Sequence, residues 1–248
     1  MVNKLRFNIA KFGAKIASQV SKLGFGSGNN LPGYVFYKVA GKEALKDLAH
    51  EMNVGPILIT GTNGKTTTTT ILIKLLSCDT EIRKSFESNT IHAITTGILK
   101  GSGDIGVFEY GIRNKIYGIP DTVQRLIDLV GVVYTTISRE HSQVAGVKNP
   151  FDEYVDAKSL LSQAMARGVI ISNVDDPVTA NIAFNKQEDV HVNFYGLAID
   201  DINDIFESES PDCPKCGKKL EYSQKFLNHR GIYSCESVSY THLRAHET

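Results

Sequence analysis

The 248-residue chain is 42% hydrophobic and 22% charged, the mix of an ordinary water-soluble protein and long enough for one large α/β domain or two modest ones. No apolar run approaches the ~18 residues of a bilayer span. Four cysteines, Cys78, Cys213, Cys216 and Cys235, and an N-terminus without an apolar core before a small-residue cleavage site exclude a disulfide-stapled miniprotein and point to a reducing cytoplasm. The net charge of zero hides an asymmetry: Lys4, Arg6, Lys11, Lys15, Lys22, Lys38 and Lys42 stand in residues 1–42 with no acidic residue, so the other 206 residues sum to −7.

In the basic stretch Leu5, Ile9, Phe12, Ile16, Val20 and Leu23 recur at helical spacing, with the lysines largely off the stripe. This predicts an amphipathic helix. It either packs on its own domain or lies on an anionic lipid surface through residues 4–23. The run Gly24-Phe25-Gly26-Ser27-Gly28-Asn29-Asn30 ends it.

From residue 56 onward short apolar runs alternate with helical patterns, which predicts βα units and a doubly wound, mainly parallel sheet. Strands are expected at Ile57–Thr60, Ile105–Tyr110, Val132–Ile137, Val169–Asn173 and Val190–Tyr195. Helices are expected near Lys65–Leu76, Asp121–Val130, Phe151–Arg167 and Pro177–Phe184. Four regions follow: a basic helix and lead-in (1–50), an α/β nucleotide-binding domain (51–200), an acidic linker with a cysteine module (201–236) and a tail (237–248).

The first strand runs into Thr60-Gly61-Thr62-Asn63-Gly64-Lys65-Thr66-Thr67, and a helix follows. Strand, glycine loop, Gly-Lys-Thr and helix make a phosphate cradle (a P-loop). Backbone N–H groups of Gly61, Thr62, Asn63 and Gly64 and the helix N-terminus face the anion, with Lys65 reaching the terminal phosphates. Thr66, followed by Thr67, offers a hydroxyl to Mg²⁺. The general P-loop spacing would place a glycine at Ile59; here the first is Gly61, so the loop is a shorter variant. Glu109, at the carboxyl end of a buried strand, is costly unless it meets a cation, which makes it a second Mg²⁺ candidate. His141, just after the Val132–Ile137 strand, is a third.

This loop and the segments around it resemble the ATP-binding domain of the Mur ligases, the ATP-dependent amide-forming enzymes of cell-wall peptide assembly. The similarity is strongest to the MurT-type subunits of lipid II isoglutaminyl synthases. It rests on the basic helix, Leu31-Pro32-Gly33, the Ala44–Ala49 stretch, Asn173-Val174-Asp175-Asp176-Pro177, Tyr195-Gly196 and Cys213-Pro214-Lys215-Cys216-Gly217. The resemblance implies ATP and Mg²⁺ as cofactors, Glu109 and His141 as metal ligands, and a catalytic set of Lys65, Glu109, His141 and Lys158. Lys158 matches the lysine that peptide-adding members carry as a carbamate. Arg139-Glu140-His141 and Lys158 depart from the MurT pattern and agree better with the peptide-adding enzymes, including archaeal pseudomurein ligases.

Three readings follow. One is an amidating subunit, with a cell-wall precursor as substrate and a glutamine amidotransferase as ammonia source; another is a peptide-adding ligase; the third is a non-catalytic nucleotide-binding module. The family places its amine-donor contacts in later segments, so these 248 residues are expected to be C-terminally truncated and to bind MgATP with little or no turnover.

Cys213-x-x-Cys216, flanked by Pro214 and Gly217, has the form of a zinc-ribbon knuckle, with Cys235 at a plausible distance for its second half. A complete ribbon would want a cysteine near Val238, and His229 and His242 lack the expected spacing for a fourth ligand. A weak Zn²⁺ site outside the ATP site is expected. The acidic approach and the lack of a dense Lys/Arg and aromatic surface argue against nucleic acid as a partner.

Overall fold

The computed structural model describes residues 3–23, 28–87, 90–140, 142, 148–197, 211–226, 228–238 and 240–241, with Tyr117, Tyr240 and Thr241 described by their backbone only. Three helices lead in: α1 (Lys4–Lys22), α2 (Leu31–Ala40) and α3 (Ala44–Ala49). The central unit then runs β1 (Gly55–Thr60), α4 (Lys65–Leu76), β2 (Ile82–Ser85), α5 (Ile91–Lys100), β3 (Ile105–Glu109), α6 (Lys115–Gly118), α7 (Pro120–Ile127), β4 (Gly131–Tyr134), α8 (Pro150–Gln163), β5 (Gly168–Asn173), α9 (Pro177–Phe184) and β6 (Val190–Tyr195). Strands β7 (Glu221–Lys225), β8 (Gly231–Cys235) and β9 (Tyr240–Thr241) form a separate antiparallel sheet.

The six strands of the main sheet lie in the order β2-β3-β1-β4-β5-β6, all parallel. Their apolar residues are buried on both faces, as a covered parallel sheet requires. The chain steps from β1 to one side to make β2 and β3, then crosses to the other side for β4, β5 and β6. The carboxyl end of β1 therefore lies at the switch point, where open α/β sheets bind their ligands.

One expectation is corrected, and the packing of α1 is specified. The apolar run 132–137 leaves the ladder after Tyr134, because Thr135 and Thr136 turn over the loop that follows β1. Helix α1 does pack on its own domain, but through its small residues: Ala10, Ala14 and Ala17 are buried, and Phe7 meets Phe36 edge-on at 5.4 Å. The large apolar stripe faces away, with Leu5, Ile9, Phe12, Ile16, Val20 and Leu23 all exposed. Alanines allow the closer backbone approach to α2, and the wide side chains stay exposed. No described helix is long and apolar enough to cross a membrane.

Candidate functional site

The loop between β1 and α4 is shaped by two glycines. Gly61 has φ +150°, and a Cβ there would lie 2.0 Å from Thr135 Oγ1 and 2.9 Å from the Thr136 carbonyl. Gly64 is left-handed (φ +84°) and precedes α4 without a side-chain cap, which leaves the first amides of the helix directed at the loop's concavity. Neighbouring segments brace the curve. The Thr62 N–H donates to Thr136 O at 2.5 Å, the Ser138 N–H donates to Thr62 Oγ1 at 3.0 Å, and Thr62 Oγ1 lies 3.1 Å from the Tyr154 hydroxyl. Thr135 Oγ1 donates to Asn63 O at 2.7 Å, and Asn63 Nδ2 donates to Glu140 Oε2 at 2.9 Å. Lys65 folds back so that Nζ donates to Thr62 O at 2.7 Å, with its ammonium over the loop. Burial lowers its pKa, opposed by Glu109 and reinforced by Arg113.

Glu109 ends β3 beside Ile59 of β1 and is only 4% exposed. Its Oε2 accepts from Thr66 Oγ1 at 2.9 Å and from the Glu87 N–H at 3.1 Å. The structure thus brings Lys65, Thr66 and Glu109 together at the ends of two adjacent strands. A buried carboxylate paired with a hydroxyl on a phosphate-binding helix is an oxygen-donor set of the kind a hard divalent cation takes, so the residues fit Mg²⁺.

Lys158 lies directly under the same loop. It is fully buried in α8, and Nζ donates to Gly61 O at 3.2 Å, Ile112 O at 3.0 Å and Thr60 Oγ1 at 3.3 Å, 4.4 Å from the Tyr154 ring centre. Burial pushes its pKa well down, and the charge of Lys65 adds to this. His141 lies outside the described residues. The bracing residues Thr135, Thr136 and Tyr154 escaped sequence reasoning. Asp176, in the Asn173–Pro177 segment singled out in the sequence, caps α9 through the N–H groups of Val178 and Thr179.

At the smaller sheet, Cys235 of β8 meets the preceding turn: the sulfurs of Cys213, Cys216 and Cys235 all lie within 4.8 Å of one another, with Cys216 and Cys235 3.6 Å apart. That spacing suits three thiolates at ~2.3 Å from one zinc ion. The Lys218 backbone N–H lowers the Cys216 pKa, which favours the ligating thiolate. Val238 packs against this cluster, where the sequence would want a fourth ligand, and no other cysteine, histidine or carboxylate joins it among the described residues.

The sequence profile of the Mur ligase middle domain matches residues 59–224, from the end of β1 through β7. The chain belongs to the Mur ligase family. It is 25% identical over 234 residues to the MurT subunit of the glutamine-hydrolyzing lipid II isoglutaminyl synthase of Staphylococcus aureus, covering 90% of this chain and 49% of that protein. The chain thus spans about half the length of the curated relatives it matches. Among solved structures, a pseudomurein peptide ligase type C from Methanothermus fervidus superposes with a TM-score of 0.64 at 28% identity, over 80% of this chain and 38% of that one. MurF from Acinetobacter baumannii superposes with a TM-score of 0.53 over 68% of this chain and 35% of that one; at 18% identity this speaks for the fold alone.

Proposed function

We propose that the chain is the nucleotide-binding part of an ATP-dependent, amide-forming ligase of cell-wall precursor synthesis. The observation that carries this reading is the convergence of Lys65, Thr66 and Glu109 on one glycine loop at the switch point of the sheet. A substrate carboxylate oxygen attacks the γ-phosphorus of ATP and ADP leaves. The acyl phosphate then takes an amine at its carbonyl carbon, losing phosphate and a proton. Lys65 and the loop amides hold the phosphoryl oxygens onto which charge moves. Mg²⁺, held by Thr66 and Glu109, with His141 proposed as a further ligand, would neutralise part of that charge.

For the amine we favour ammonia, from a partner glutamine amidotransferase. Likeness to the S. aureus subunit across 90% of this chain and the three-cysteine cluster support an amidating role. The second reading, addition of an amino acid, is supported by Glu140 beside the loop and by Lys158 beneath it. An amine held neutral by burial can attack CO₂, lose a proton and become an anionic carbamate, which would serve as an additional metal ligand. Product mass separates the two, because amidation exchanges a hydroxyl for an amino group and peptide addition adds a whole residue.

The exposed stripe of α1, on a helix with five basic and no acidic residues, we assign to an anionic membrane surface, where a lipid-linked precursor would be met. The metal-site reading is tested by nucleotide titrations with and without Mg²⁺. Thr66→Ala and Glu109→Gln should weaken ATP binding in Mg²⁺ and leave it unchanged in EDTA. Equal effects in both conditions contradict the assignment.

A further inference from the structure

The hairpin β7–β8 reaches back to the main sheet. The Gly231 N–H donates to Asp175 O at 2.9 Å, the Tyr233 hydroxyl donates to Val174 O at 3.0 Å, and His229 Nε2 lies 3.2 Å from Asp176 Oδ2. Asp176 is fully buried and also accepts from the Ile137 N–H at 2.7 Å, which ties the hairpin tip to the segment after β4. The tip is therefore docked. Between it and the glycine loop lies a cavity of about 230 Å³. One wall is Asn63, Gly64 and Thr68; the opposite wall is Asn228, His229 and Arg230. Its floor includes Ser138, whose hydroxyl is buried and has no hydrogen-bond partner among the described residues, and Tyr195.

This cavity lies on the β4–β6 flank of the loop, and Glu109 lies on the β3 flank. A nucleotide whose terminal phosphates sit by Lys65, Thr66 and Glu109 must send its nucleoside away from β3, toward that cavity. The space equals roughly eight water molecules at ~30 Å³ each, enough for a nucleobase, and its lining offers amide, hydroxyl, imidazole and guanidinium groups.

We propose that the hairpin tip, through His229 and Arg230, forms one wall of the nucleoside pocket, so that the cysteine module is part of the nucleotide site. The proposal rests on the phosphate-loop reading above. The cysteines stand at the far end of β8, about 13 Å along a five-residue strand from the tip. They would act by ordering the strand and would not touch the nucleotide.

Two probes separate this proposal from the reading it rests on. MgATP needs both the loop and the pocket, whereas magnesium tripolyphosphate needs the loop alone. Calorimetry on the full 248-residue chain should show that His229→Ala and Arg230→Ala each weaken MgATP by about tenfold, as for loss of one hydrogen bond in the pocket, with tripolyphosphate affinity unchanged. Arg230→Gln, which keeps most of the side-chain volume, should behave like Arg230→Ala. Unchanged ATP affinity in these variants overturns the proposal and leaves the phosphate loop standing. Equal weakening of both probes also overturns it, because the hairpin would then act only through the fold of the loop. A parent chain that binds neither probe overturns the phosphate-loop reading itself.

Discussion

Replacing Gly61 by Ala tests the geometry of the loop at its tightest point. The new Cβ would lie 2.0 Å from Thr135 Oγ1 and 2.9 Å from Thr136 O, at a φ of +150°. Backbone strain at such a position costs about 1–3 kcal/mol. Moving the Thr135 hydroxyl away breaks the hydrogen bond its single proton donates to Asn63 O (2.7 Å), at about 1 kcal/mol. The sum is about 2–4 kcal/mol, a large share of the ~5–15 kcal/mol that holds a domain together. Gly64→Ala is the internal control. Its φ of +84° is also unfavourable, but the nearest atom to a new Cβ is 3.8 Å away, so only the left-handed penalty of about 1–2 kcal/mol remains. In urea unfolding followed by circular dichroism, Gly61→Ala should lower the midpoint by about 1 M or more and Gly64→Ala by less than half of that. Equal midpoints for the two variants would refute the close approach of Thr135 to the loop.

The buried amine of Lys158 gives stability a definite pH dependence. Its folded pKa is depressed below the unfolded value of about 10.4, so the unfolded chain binds more protons and stability rises with pH up to that value. Lys158→Met should flatten this rise below about pH 10, leaving the slopes from Lys65 and Lys100; an unaltered slope in chemical denaturation would show Lys158 to be solvated. At the cysteine cluster, Val238→Cys should tighten Zn²⁺ binding measured by competition with a chromogenic chelator, and unchanged affinity would show that position 238 does not reach the metal. Vesicles containing anionic lipid should co-sediment the chain and neutral vesicles should not, with Phe12→Ser and Ile16→Ser releasing it; retention of the double variant would move the contact elsewhere.

The parts of the site written in consecutive residues were legible in the sequence. Gly61 to Thr67 announced a loop because glycine, lysine and hydroxyl side chains there follow a strand and open a helix, and the structure has that order. Glu109 was legible because a charge at the end of an apolar run has few reasons to be there. What escaped is set by contacts distant in sequence: Thr135, Thr136 and Tyr154 look like ordinary polar or aromatic residues until the fold brings them against Thr62 and Asn63. Strand β2 was missed because Ile-Arg-Lys-Ser at a sheet edge buries only Ile82 and shows no apolar alternation. Which face of α1 docks was not legible in the sequence. Periodicity reports that a helix has an apolar side but not which face docks, since Ala10, Ala14 and Ala17 recur at the same helical spacing as the larger stripe.

MgATP binding to the glycine loop underlies the proposed function, and isothermal titration of the chain with MgATP before and after Lys65→Ala tests it most directly. The Lys65 ammonium lies over the loop, 2.7 Å from Thr62 O, where the terminal phosphates would take its charge. The predicted result is a single saturable site in the parent chain that disappears in the variant while the unfolding midpoint stays within the range of a surface substitution. Unchanged affinity in Lys65→Ala would contradict the assignment of the loop as the phosphate site.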